Sequence, residues 1–221
     1  MHQNPYLTAI QSLNESEIRY VIVGGFAVVM HGLNRFTPDL NVVVDLESSH
    51  LKVALSRLRA NHLSPVNEDE LLSFSTSQGR EEMSQQGKRW FLSLRDVQAP
   101  TFSLDLFLRE PLKFEDLFSR ALECSFDGVS APVASLSDLI TMKCNSTRGQ
   151  DRMDCEVLRF IQEHEEELQV AAKRQGLLEN TDQDVIRDYL TGLDDFASLS
   201  HSEKLSWLCH MLTHLGQFCL L

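Results

Sequence analysis

Apolar residues follow two regimes along the chain. As far as Leu108, short apolar runs alternate with stretches of helical spacing. From Ser135 onward only helical spacing recurs. Leu7, Ile10 and Leu13 predict a helix over 5–17, broken by Asn14-Glu15-Ser16-Glu17. Tyr20-Val21-Ile22-Val23 is an apolar, β-branched run, so a buried strand, and Gly24-Gly25 ends it. Phe26 to His31 reads as helix, stopped by Gly32. Leu40 to Val44 is a second strand, closed by Asp45. Leu51, Ala54, Leu55 and Leu58 then form one face of a helix that Ser48 or Ser49 can cap.

Residues 67–89 are polar, with Gly79 and Gly87, and read as weak hairpin and loop. Trp90 to Leu94 and Thr101 to Leu108 are further strands. In the second, Phe102, Leu104, Leu106 and Leu108 alternate with Ser103, Asp105 and Phe107. Asp127-Gly128 marks a turn. Ser135-Leu136-Ser137-Asp138 opens a helix carrying Leu136, Leu139, Ile140 and Met142. Another helix carries Met153, Val157, Phe160 and Ile161, and two more are predicted around Ile186–Leu193 and Leu205–Leu215. The fold class expected is α/β (α+β), a small mixed sheet with flanking helices and a helical C-terminal region. The expected domains are 1–165 and a helical extension at 166–221.

Length permits one good core with a small appended bundle, since the chain has 221 residues, 43% of them hydrophobic. No apolar run approaches the roughly 18–20 residues of a membrane span. Met1-His2-Gln3-Asn4-Pro5 lacks a basic segment followed by an apolar one, so a cytoplasmic location is expected. Five scattered cysteines form no C-x-x-C pair, and reduced thiols are the simpler reading. The formal net charge of −12 argues against a protein that coats nucleic acid, but it does not exclude a local basic pocket. Cys209, His210 and His214 lack a fourth ligand and a recognised zinc spacing.

One constellation points to chemistry. Residues two apart on a strand point to the same side, roughly 6.6 Å apart. Asp39 and Asn41 stand in that relation, and Asp105 sits in a neighbouring apolar strand. A buried carboxylate is costly without a partner or a metal. Hard oxygen ligands of this kind suit Mg²⁺ or Mn²⁺, the ions used in nucleotidyl transfer. Glycines after a strand let backbone N–H groups approach phosphates.

Val23-Gly24-Gly25, then the residues up to Asp39-Leu40-Asn41-Val42, resembles the h-G-G…D-h-D-h signature of the polymerase-β-like nucleotidyltransferases, where h is apolar. Gly24-Gly25-Phe26-Ala27, His31-Gly32 and Arg35-Phe36-Thr37-Pro38-Asp39 are similar to the pattern of small prokaryotic members. These include the minimal nucleotidyltransferases and the abortive-infection AbiE-type toxins. Leu139-Ile140-Thr141-Met142-Lys143 and Arg148 to Asp154 resemble a later segment of the same branch.

The resemblance implies that Asp39, Asn41 and Asp105 form the catalytic metal site, that Gly24 and Gly25 hold the triphosphate of an NTP, and that Arg35, Thr37 and Lys143 contact the nucleotide. It implies a protein hydroxyl, a tRNA end or a small molecule as acceptor. Separately, Trp207, Met211 and Phe218 make the last helix apolar on two sides, so it is expected to pack into a core or against a second copy or partner protein. Arg148, Asp151 and Asp154 by themselves read more simply as a salt-bridge set. Asn41 departs from the pattern, which has a carboxylate there. Asn keeps one oxygen and loses the charge. That leaves open an enzyme with a weakened metal site or a degenerate relative that binds a nucleotide or a partner, for example in a toxin–antitoxin pair.

Overall fold

A strand apolar at every position is stable only where both of its faces are covered. Tyr20–Val23 is such a strand, and all four residues of this β1 are buried. It lies between β2 (Asp39–Val44), antiparallel to it, and β7 (Val129–Val133), parallel to it. The computed structural model describes residues 4–31, 33, 37–86, 89–96, 98–164 and 199–204. The protein is mixed α/β, with a seven-stranded mixed sheet at its centre. The strand order is β3 (Leu63–Ser64), β4 (Phe91–Asp96), β5 (Ala99–Phe107), β2, β1, β7 and β6 (Leu122–Phe126). The β6–β7 hairpin turns at Asp127-Gly128, both at positive φ.

The period-two pattern sorts the central strands into two faces. Leu40, Val42 and Val44 of β2, Phe102, Leu104 and Leu106 of β5, and Leu92 and Leu94 of β4 share one parity and are all buried. Each fully buried leucine contributes roughly 2 kcal/mol. Helix α1 (Pro5–Glu15) meets this face, with Tyr6 edge-on to Phe102 at 4.7 Å. Asn4 caps α1 by accepting from the Tyr6 amide, and Pro5 sits at its first turn, where its missing N–H costs nothing. Helix α3 (Leu51–Ala60) packs on α1 through Leu51, Ala54, Leu55 and Leu58. On the opposite side, Arg19 ion-pairs with Asp45 and with Glu115, and its guanidinium lies over Phe114 and Phe118 of α6 (Phe114–Arg120).

Residues 67–89 differ from the hairpin and loop expected. They carry two helices, α4 (Asp69–Phe74) and α5 (Ser77–Gln85). Gly79 looks like a breaker in the sequence, but it serves close packing. A Cβ there would lie 2.1 Å from the Ser73 carbonyl oxygen. Thr76 caps α5 by accepting from the Gly79 amide, and Phe74 and Met83 supply the buried contacts.

The chain forms two compact units, Met1–Ala27 with Thr37–Ser135, and Val28–Phe36 with Leu136–Leu221. The first holds the sheet. In the second, α7 (Leu136–Cys144) packs on α8 (Gly149–Glu163). Lys143 is buried there and ion-pairs with Asp151 at 2.7 Å and Asp154 at 2.8 Å. Cys144 and Cys155 form a disulfide with 5.4 Å between Cα atoms. That pairing corrects the expectation of reduced thiols at these two positions. Their spacing of eleven residues gave no motif, and the helix pairing brings them together. The helices expected near 186–193 and 205–215, the Cys209–His214 set and the boundary at 165 lie outside the described residues. Among the described residues no helix is long and apolar enough to cross a membrane.

Gly79→Ala is expected to cost about 1–3 kcal/mol, because the added methyl meets backbone that cannot yield cheaply. The cost is read as a lower urea midpoint at unchanged slope. An unchanged midpoint would mean that the α4–α5 turn has room to spare.

Candidate active site

Strand register assembles the site. Asp39 is opposite Ser103 and Asn41 is opposite Asp105 across the parallel β2–β5 pair. On the other side of β5, Asp105 is opposite Ser93 and Ser103 is opposite Arg95. Residues paired in register project to the same side. Asp39, Asn41 and Asp105 therefore share a face with Ser93, Arg95 and Ser103, opposite the leucine face. Asp39 and Asp105 are half-buried, Asn41 is buried, and Arg95 is exposed.

Both oxygens of Asp39 are held. Thr37 Oγ1 donates to Oδ1 at 2.9 Å, and Asn41 Nδ2 donates to Oδ2 at 2.5 Å. The Tyr6 hydroxyl donates to the Thr37 carbonyl at 2.6 Å, which fixes the turn leading into β2. Tyr6 is held above the usual phenol range, first by burial and then by the charge of Asp39. Asn41 thus turns its amide nitrogen to Asp39 and acts on it as an orienting donor.

Asp105 is different. Its Oδ1 is buried and has no hydrogen-bond partner among the described residues. Burial pushes its carboxyl above the ordinary range. The Ser93 hydroxyl offsets part of that rise, Asp39 adds to it, and Arg95 opposes it. A desolvated acceptor without a donor is costly unless something of positive charge completes it.

Gly24 closes the arrangement. It has φ +68°, and a Cβ on it would lie 2.9 Å from both Cβ and Nδ2 of Asn41. The β1–α2 turn, where α2 is Gly24–Met30, can lie this close to β2 only because residue 24 has no side chain. Gly25 follows it, buried, in the first turn of α2.

The structure brings Asp39, Asn41, Asp105, Gly24 and Thr37 together. Arg35 lies outside the described residues. Lys143 belongs to the second unit, where its ammonium is taken up by Asp151 and Asp154. Ser93, Ser103, Arg95 and Tyr6 were missed in the sequence. Ser93 and Arg95 do alternate with Leu92 and Leu94, but their place beside Asp105 depends on a register that one strand does not disclose.

Among the described residues there is no group of three or more His, Cys, Asp and Glu side chains that could hold a metal ion. The hard donors here are two carboxylates, with an amide between them. No protein-family model matches the chain, and no curated protein matches it. The fold and the face define a class of site, namely paired carboxylates on the polar side of a mixed sheet, beneath a glycine turn.

Gly24→Ala is expected to cost about 1–3 kcal/mol from positive φ and the clash with Asn41. Gly25→Ala, which lacks the positive φ, serves as the control in the same denaturation series. The raised pKa of Asp105 also sets a pH dependence. Between its ordinary value of 3.8 and its higher folded value, the folded state holds the extra proton. Stability contributed by this group therefore falls as pH rises through that window. Asp105→Asn should gain melting temperature over the native protein on going from pH 3.5 to pH 7, and a gap independent of pH would exclude this account.

Proposed function

We propose that the Asp39–Asn41–Asp105 face binds an NTP through a divalent cation and transfers its nucleoside monophosphate to an acceptor hydroxyl, releasing pyrophosphate. The observation that carries this reading is the buried Oδ1 of Asp105, without a partner among the described residues, on the same face as Asp39. The donor set fits Mg²⁺ or Mn²⁺, which favour carboxylate oxygens and need only one or two from the protein. Asp39 and Asp105 would hold the ion, which when bound neutralises the triphosphate and stabilises charge at the reacting phosphorus. Thr37 and Asn41 orient Asp39. Gly24 leaves room for a close approach of the phosphates, and Arg95 offers a cation at the exposed side of Asp105. The acceptor belongs to the classes named by the resemblance, a protein hydroxyl, a tRNA end or a small molecule. The reading places the protein in the cytoplasm, where NTPs are abundant.

One observation favours a second reading. The Asn41 amide nitrogen donates to Asp39, so the central residue supplies neither a charge nor, in this orientation, an oxygen. In that case the face binds a nucleotide or a partner without transfer, as one half of a toxin–antitoxin or phage-defence pair.

The two readings separate on substitution. Incubation with each labelled NTP, Mn²⁺ or Mg²⁺ and candidate acceptors should give transfer that Asp39→Ala and Asp105→Ala both abolish. Transfer that survives either change would remove this face from the reaction. Asn41→Asp should tighten Mn²⁺ binding by about tenfold or more, because affinity at such sites follows the count of charged ligands. Transfer that appears only in this variant would favour the second reading for the native chain.

A further inference from the structure

A cavity of roughly 330 Å³ lies in the first compact unit, between the segment after β2 and the α4–α5 turn. It begins beyond Val44, at the opposite end of β2 from Asp39. Two pairs of residues with the same spacing line it. Ser49 stands in the turn just before α3 and Lys52 in its first turn, and Ser77 and Arg80 come from the start of α5. In each pair a cation follows a hydroxyl by three residues, a spacing that puts both on one side of a helical turn.

Arg80 carries the inference. Its side chain is 7% exposed. It donates to the Phe74 carbonyl and to Glu47 Oε1, both at 3.1 Å. Among the described residues Glu47 is its one carboxylate partner, and that side chain is 85% exposed. A buried cation costs several kcal/mol unless it is well matched, whereas an ion-pair partner out in water returns little. A guanidinium has five N–H donors, and only two donations from this one go to described residues. Among the described residues Lys52 makes no ion pair, and the hydroxyls of Ser49 and Ser77 make no hydrogen bond. The cavity therefore has two cations, one exposed carboxylate and two uncommitted hydroxyls, within a chain of net charge −12.

The frame is fixed before any ligand arrives. The close approach of Gly79 to the Ser73 carbonyl and the Thr76 cap set α5 against α4, and thereby place Ser77 and Arg80. The volume is at the lower end of small-molecule sites.

We propose that this cavity binds the phosphate group of a small phosphomonoester or inorganic phosphate. Arg80 and Lys52 donate to the phosphate oxygens with Ser49 and Ser77, and the dianion replaces Glu47 as the counter-charge of Arg80. The site is independent of the Asp39–Asp105 face and needs no divalent cation.

Calorimetric titration of the full chain, without divalent cations, tests it with inorganic phosphate, ribose 5-phosphate and ribose. Both phosphates should bind and ribose should not. Tighter binding of ribose 5-phosphate identifies a monoester as the occupant, and equal binding identifies the free anion. Lys52→Gln, on an exposed side chain, should weaken binding by about tenfold through loss of a charge-assisted bond. Glu47→Gln should tighten it, because the competing carboxylate is gone. Arg80→Lys should weaken it further, and where that variant fails to fold the other two decide. Absence of binding by both phosphates at millimolar concentration overturns the proposal. So does binding that neither Lys52→Gln nor Glu47→Gln alters.

Discussion

The parallel pairing of β2 with β5 is the constraint on which the rest depends. One register sets Leu40 beside Leu104 and Val42 beside Leu106, and the same register sets Asn41 beside Asp105. Because side chains alternate, a slip of one residue would drive Asp39 and Asn41 into the core and turn the leucines outward. The cost of burying those polar groups excludes the slipped pairing. The core thus specifies the site. The apolar face holds the two strands in a single alignment, and the carboxylates are carried into place on the other side.

That dependence explains what the sequence could show. Tyr20–Val23 and the alternation through Phe102–Leu108 were legible because a buried strand writes its environment into every residue or every second residue. Asp39, Asn41 and Asp105 could be picked out because each breaks or borders such a run. The α4–α5 pair was not legible. Its apolar positions are few, and Gly79 signals a break when read alone but a close contact when Ser73 is known to lie against it. Ser93 and Arg95 were hidden for a related reason, since their meaning lies in the strand beside them. Lys143 was visible as a cation, but its two carboxylate partners come from the next helix. Only the packing of that helix shows how the charge is used.

The polar face also shows an uneven distribution of stabilising contacts. Asp39 has a donor on each oxygen, from Thr37 and Asn41. Asp105 has the Ser93 hydroxyl and a distant Arg95 charge in its favour, against burial, a neighbouring negative charge and an Oδ1 without a partner among the described residues. A fold selected only for stability would place an apolar residue at 105, in keeping with the strand around it.

The contact between Gly24 and Asn41 has a consequence for how this protein can change. With the backbone of residue 24 this close to the Asn41 side chain, position 41 is confined to short side chains. Aspartate is the nearest isostere of asparagine, and their codons differ by one base. The interchange between an amide and a carboxylate at position 41 is therefore a single mutational step that keeps the side chain's shape, while it exchanges the donor to Asp39 for a second acceptor beside it. A lineage carrying this fold could cross that step in either direction without rebuilding the sheet, while bulkier replacements would first require the turn at Gly24 to move.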